Sequence, residues 1–475
     1  MKINLDIAKQ PKALSICFLT EMWERFGYIL IQTLLVFVLL QEYGMSTSEA
    51  GKLVGTFTGV LFITSVIAGY IADFFLGYLR SVLLGSILLF ISYLSISMTT
   101  NYTYLCLGLS VLCIGTGLLK TNVSGFLGTF YEEEDKRRDA GFTIFYIGIN
   151  IGPILGAIVS TSIQNYFHIV NYQNVFFVAT IAALISGIIF YGGYKIYKYP
   201  LAKTNVSITD SLYALIIIML SIGMVMWILY VPTVATIFFI GISITCIVTL
   251  IRVSLNTREQ IRNTIIYILF LMIAVLYFSL YNQIFISINI FNDIAVNKNV
   301  LGFQFSPQAF VSIDNIGVII FGIIVLKYWQ KTSSATKFIL SSIFLCAVFA
   351  ILLIGVIWTS EYSLVSPWWV ILAYFVLAFS EICISPIGLA LATKLSPPNR
   401  KGLFIGSWLV AYGIAGELAG VISSNMDLPT VNSSLSIIKS SYMGIFEKFL
   451  FISVLIMIIT LILTYSINKI SKKPI

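Results

Sequence analysis

Long apolar runs separated by short polar breaks fill this chain. Fourteen can be marked, at about 14–40, 49–75, 80–98, 104–129, 141–163, 175–196, 212–230, 233–253, 264–291, 307–327, 337–358, 367–393, 402–424 and 446–467. Each is continuous over roughly the 20 residues a helix needs to cross a hydrocarbon layer. Bilayer-crossing strands are about ten residues long and alternate in polarity, so a β-barrel does not fit. The pattern predicts an all-α polytopic membrane protein. The runs group as six, two and six. KYPLAKTNVSITD parts the first six from the short pair at 212–230 and 233–253, and RVSLNTREQIRN follows the pair. The expected organisation is an N-terminal six-helix bundle over 1–200, a linker and inserted transmembrane hairpin over 201–258, and a C-terminal six-helix bundle over 259–475. Two six-helix halves with a site between them form the architecture of many secondary transporters. The first run exceeds a signal-peptide apolar region and is broken by charges, so it reads as a retained helix.

Composition sharpens the class. The chain has 475 residues, 59% hydrophobic and 10% charged, with mean hydropathy +0.97. Soluble domains carry about a quarter charged residues. With both termini cytoplasmic, the outside loops hold only Lys52, Lys298, Lys439 and Lys448. Arg25 and Lys120 lie inside helices, and every other lysine and arginine falls on the side of the termini. Basic residues concentrate in cytoplasmic loops. The expectation is a multi-pass protein of the plasma (inner) membrane. The same asymmetry accounts for the net charge of +8 without any nucleic acid partner. The run EEEDKRRD at 132–139 reads as a solvated cytoplasmic loop.

Enzyme chemistry finds little support. The single histidine, His168, lies in a polar break, so no Ser/His pair is expected. Cys17, Cys106, Cys113, Cys246, Cys346 and Cys383 are scattered through apolar runs with no CxxC pair. They read as small core residues and give no metal site. No catalytic residue is expected. No polar stretch is long enough for the added soluble domain of a receptor.

The charges inside the apolar runs carry the functional signal. An ionisable group at a helix centre costs roughly 2.5–3.5 kcal/mol on insertion scales, so it normally faces a partner or a watery cavity. Here the group comprises Glu21, Glu24, Arg25, Lys120, Glu381 and Glu417, with Asp73 and Asp314 nearer helix ends. Glu21, Glu24 and Arg25 stand at i, i+3 and i+4, on one helical face. Lys120 in CIGTGLLKTNVSG and Glu381 in LAFSEICISPIG lack opposite charges within a turn, so each requires a partner from another helix. A salt-bridge lattice fixing helix packing is the competing reading. A proton relay with a polar substrate site fits charges spread over both halves better. In FYIGINIGPILG, 145–156, Asn150 lies among glycines and a proline, where backbone can open onto a cavity. Glu417 sits between Gly416 and Gly420, a small-residue face suited to close helix contact, or alternatively an extra proton site.

These stretches together resemble the proton-dependent oligopeptide transporter family of the major facilitator superfamily. Glu21, Glu24, Arg25, Phe26 and Tyr28 match its E-x-x-E-R-F-x-Y signature, and FYIGINIG matches F-Y-x-x-I-N-x-G. GYIADFFLGYLR, LLKTNVSG and SEICISPIGLALATKLSP match three further blocks. The resemblance implies proton-coupled uptake of di- and tripeptides by alternating access, with the proton as coupling ion and no other cofactor. It implies proton coupling by Glu21, Glu24, Arg25, Lys120 and Glu381, with Lys120 and Glu381 pairing across a cytoplasmic gate. It places Arg25 and Lys120 near the peptide carboxylate, and Asn150, Asn315 and Glu381 near the amino group. Trp408 would pack in the cavity, and Tyr28, Gln32 and Asn282 would complete the binding set. Two departures stand out. Gln32 replaces a usual basic residue and Asn282, in LYNQ, a usual glutamate, leaving a neutral hydrogen bond as the substitute for an ion pair. Those changes keep open a different solute: an anion, an amino acid or a peptide-like metabolite. Expected partners are small peptides, protons and the lipid bilayer, with the chain functional as a monomer.

Overall fold

The computed structural model describes residues 10–132, 135, 137–167, 172–197, 206–328, 332–426, 428–429 and 433–471. His168 and most of the polar linker before the hairpin lie outside them, as do parts of the 132–139 run. The described residues divide into two compact units. One comprises Met1–Val38 and Val60–Val231, the other Leu39–Gly59 and Pro232–Ile475.

The first unit is built on α1 (Lys12–Gln41), the second part of α2 (Thr47–Ile71), α3 (Gly77–Met98), α4 (Tyr102–Gly128), α5 (Arg138–Phe167), α6 (Tyr172–Tyr197) and α7 (Ile208–Tyr230). Polar caps fix helix starts at the ends of apolar runs. The Asn101 side chain accepts from the Thr103 N–H before α4, and Ser207 and Asp210 form a reciprocal capping box before α7. Glycines set the closest approach. A Cβ on Gly85 of α3 would stand 2.6 Å from the Leu119 nitrogen of α4. Ala214, Ile218 and Ile222 of α7 join Ile114 and Leu118 of α4 in one apolar cluster.

The second unit contains α8 (Pro232–Arg252), α9 (Arg258–Tyr281), α10 (Ser287–Ile294), α11 (Pro307–Tyr328), α12 (Ser334–Trp358), α13 (Pro367–Ile382), α14 (Ser385–Leu395), α15 (Lys401–Ser424) and α16 (Leu435–Ser471). The first turns of α2 belong here too. Gly51, Gly55 and Gly59 lie against α15, and a Cβ on Gly55 would fall 2.5 Å from Gly420 Cα. Lys439 of α16 donates to the carbonyls of Thr359 and Ser360 at 2.8 and 2.6 Å, satisfying the end of α12.

Among the described residues, twelve helical stretches are long and apolar enough to cross a membrane, and α11 supplies a shorter apolar one. One stretch, Thr47–Met98, is 52 residues long because α2 passes into α3 through a π-helical turn, Ala72–Leu76. Gly77 ends that turn at φ +74°, a conformation open to glycine because it lacks a Cβ.

Two apolar runs expected to be continuous are broken. The run at 264–291 divides at a 3₁₀ segment, Asn282–Phe285. The run at 367–393 divides between α13 and α14. Pro386 has no N–H for the carbonyl of Ile382, so the helix cannot continue unchanged. Both breaks adjoin candidate site residues, Asn282 and Glu381. One small hairpin departs from the all-α expectation. Asn299–Val300 pairs with Phe303–Gln304 through Leu301 and Gly302, both at positive φ.

Candidate functional site

In the first unit the site is built outward from α1. Glu21, Glu24 and Arg25 are all buried. The Arg25 guanidinium does not choose its helical i−4 neighbour. It forms a two-pronged contact with the adjacent Glu24, Nη2 to Oε1 at 2.7 Å. Glu21 lies 3.7 Å from Arg25 Nε, an electrostatic contact rather than a hydrogen bond. Both Glu21 oxygens accept no hydrogen bond among the described residues. Glu24 is thus committed to Arg25, whereas a proton arriving at Glu21 displaces no donor.

The remaining first-unit candidates surround this triad. The Arg25 guanidinium also stands over the Tyr28 ring, 4.3 Å from its centroid. Lys120, half-buried on α4, lies 5.0 Å from the centroid of the Phe62 ring and within electrostatic reach of Glu21, Glu24 and Arg25. Gln32 is buried on the same helix as the triad. Asn150 is buried on α5, its amide donating to the Tyr146 carbonyl at 2.9 Å. The glycines of FYIGINIGPILG explain how α5 comes so near. Gly148, Gly152 and Gly156 recur every four residues, on one face. Cβ atoms there would strike Phe18, then Met22, Arg25 and Phe26, then Ile29. The stripe seats α5 on α1 turn by turn across the triad.

The second unit holds the other candidates around Tyr281, the last residue of α9. Its hydroxyl lies 2.9 Å from Asp314 Oδ2 and 3.1 Å from Glu381 Oε2. Asp314 is the α11 residue drawn into this cluster. Asn315, one position and roughly 100° further round the helix, is half-buried. The Asn282 amide donates to the Phe278 carbonyl at 2.8 Å. Trp408 is buried, edge-on to Phe278 at 6.2 Å between ring centroids. It packs directly over Gly388, where no side chain fits. Gly388→Ala is therefore expected to displace the indole and cost about 1–3 kcal/mol as overpacking, read as a lower melting temperature in detergent. An unchanged melting temperature would show that the indole is loosely held.

Glu417 also lies in this unit, buried in the α2–α15 contact. Its Oε2 accepts from Thr56 at 2.6 Å, and its Oε1 has no partner among the described residues. This is the close helix contact that Gly416 and Gly420 suggested.

Glu21, Glu24, Arg25, Tyr28, Gln32, Lys120 and Asn150 thus belong to one unit, and Asn282, Asn315, Glu381 and Trp408 to the other. Two participants had little sequence signal. Tyr281 was legible only as a tyrosine at the end of an apolar run, whose hydroxyl needs a partner when buried. Thr56 carried no signal. Among the described residues, no group of His, Cys, Asp and Glu could hold a metal ion.

The sequence profile described as "PTR2: POT family" matches residues 79–442. A "Dipeptide and tripeptide permease A" of Serratia proteamaculans is 27% identical over 469 residues, covering 96% of this chain and 92% of the relative. A "Dipeptide and tripeptide permease B" of Salmonella typhimurium is 27% identical, with 98% of each chain covered. A solved structure described under "Structural insights into substrate recognition in proton dependent oligopeptide transporters" has a similar fold, at TM-score 0.85. It is 24% identical, with 96% of this chain and 99% of the other covered.

Proposed function

This chain belongs to the POT family, and from that premise we propose that it is a proton-coupled symporter importing di- and tripeptides by alternating access. The carrying observation is the similarity to dipeptide and tripeptide permeases along nearly the whole of both chains. The buried triad of α1 supports it, because a transporter coupled to protons needs titratable groups withheld from bulk water. In this reading Arg25 and Lys120 receive the peptide carboxylate, and Asn150, Asn315 and Glu381 its amino group. Tyr28, Gln32, Asn282 and Trp408 shape the binding surface. Glu21, Glu24, Arg25, Lys120 and Glu381 couple transport to the proton, which is the only coupling ion, and no cofactor takes part. Protonation of a carboxylate removes its attraction to a cation. A proton gradient can thereby bias two conformations that differ in those contacts.

The chain acts as a monomer in the inner membrane, crossing it fourteen times with both termini cytoplasmic. Twelve stretches suffice for this count because Thr47–Met98 is long enough for two crossings at about 1.5 Å per residue, and α11 adds another. Exposed Ile237, Ile240, Ile244 and Ile247 on α8 suit contact with lipid tails.

Uptake of labelled dialanine into proteoliposomes tests the function. Wild-type protein is expected to accumulate peptide only with an inward proton gradient. Glu24→Gln, which removes the charge facing Arg25, is expected to retain exchange and lose accumulation. Folded, inserted wild-type protein that moves no peptide would redirect the assignment to an anion, an amino acid or a peptide-like metabolite. Gln32 and Asn282 would then be the first positions to change.

A further inference from the structure

We infer that Asp314 and Glu381 form a proton-binding dyad bridged by Tyr281, sharing one proton that is taken up together with the substrate's ammonium group. The substrate part of this inference rests on the peptide reading above; the dyad itself does not. The Tyr281 hydroxyl approaches an oxygen of each acid, 2.9 and 3.1 Å away, yet it has one hydrogen and can satisfy one of them. The two acid side chains are also within hydrogen-bonding reach of each other. Asp314 is 4% exposed, and its Oδ1 receives no donor from the described residues. Two adjacent carboxylates with one donor between them lack a hydrogen. A proton on either acid supplies it, and the Tyr281 hydroxyl then turns toward the other.

Among the described residues of this unit, the neighbouring groups supply no compensating cation. Tyr277 of α9 donates its hydroxyl to Ser380 at 2.9 Å. Tyr374 of α13 accepts from Asn292 of α10 at 3.1 Å. Tyr412 of α15 faces Tyr281, and Cys383 follows the end of α13. The basic residue Lys337 of α12 interacts with Cys383. The groups around the two acids are therefore neutral hydroxyls and a thiol.

Charge balance then links proton to substrate. With no proton the dyad carries two negative charges, and one ammonium leaves one of them uncompensated among neutral neighbours. With one proton it carries a single charge, matched by one ammonium. With two it carries none and attracts nothing. The singly protonated form is thus the one that an ammonium group neutralises, so proton and substrate enter together. The proton moves from bulk water to a carboxyl oxygen, and no covalent bond in the protein otherwise changes.

Infrared spectroscopy of the full chain in lipid tests the dyad without any substrate. Wild-type protein is expected to show a protonated-carboxyl stretch that responds to pH and to deuterium exchange. Asp314→Asn and Glu381→Gln should each remove or displace it, Tyr281→Phe should shift it, and Gly444→Ala on α16, where a Cβ meets nothing within 4 Å, should leave it unchanged. A wild-type stretch that survives all three dyad variants would overturn the inference. Tyr281→Phe, nearly isosteric, keeps the test alive if an acid variant fails to fold. Coupling is then read as protons moved per dialanine. Asp314→Asn leaves one fixed charge for the ammonium, so binding should persist while the ratio falls by about one. An unchanged ratio would overturn the joint uptake. If wild type carries no peptide but the stretch behaves as expected, the dyad stands and the peptide reading falls.

Discussion

Arg25→Ala is expected to be the most damaging single substitution in the first unit. The guanidinium makes a two-pronged contact with Glu24, approaches Glu21 and covers the Tyr28 ring. Its removal leaves two carboxylates less than one helical turn apart, at 1% and 2% exposure, without a cation within a helical turn of them on α1. Breaking a buried ion pair from one side costs about 3–5 kcal/mol, because the surviving charge stays buried. Gradient-driven uptake should be largely lost, because both carboxylates lose the cation that holds them. Melting of the purified protein and dialanine uptake would be measured side by side. Adding Glu24→Gln should recover part of the lost stability, since the double variant no longer buries that charge. Strictly additive losses would mean that the Arg25–Glu24 contact contributes little, and the triad would lose its central role.

Gly152→Val should rank next, although Gly152 carries no chemistry. A Cβ there would stand 3.0 Å from Arg25 Cβ and from the Phe26 nitrogen, and would run into the Met22 carbonyl. Most of these obstacles are backbone and cannot swing aside. The two further methyls of valine enlarge the clash. We expect α5 to be forced off α1 at the level of the triad. The cost should lie near the upper end of the roughly 1–3 kcal/mol typical of overpacking, with uptake clearly reduced as the triad is displaced. Gly192→Ala is the matched control, because a Cβ there meets nothing within 4 Å. If Gly152→Val melts and transports like the control, the α5–α1 contact does not position the triad.

The sequence by itself determined the class of the protein. Continuous apolar runs require helices, because the hydrocarbon layer leaves no water for an unpaired backbone. It also determined which residues deserve chemical interest, because a charge inside such a run is costly wherever it lies. Helical periodicity placed Glu21, Glu24 and Arg25 on one face, and all three are buried.

Only the tertiary structure decided the pairings. Periodicity favours Glu21 as the partner of Arg25, yet the guanidinium fork lies on Glu24, because a long flexible side chain takes the direction that packing leaves open. Asp314 stands out as a charge in an apolar run, and Asn315 only by the family resemblance. The α11 helix turns Asp314 toward Tyr281 and leaves Asn315 half-buried, a matter of helix rotation that no spacing encodes. The breaks after Tyr281 and Ile382 fall inside runs that hydropathy reads as continuous, although Pro386 marks the second of them. Hydropathy reports how long a segment stays out of water. Which side chains meet depends on rotamers, helix rotation and backbone breaks set by residues far away in the chain.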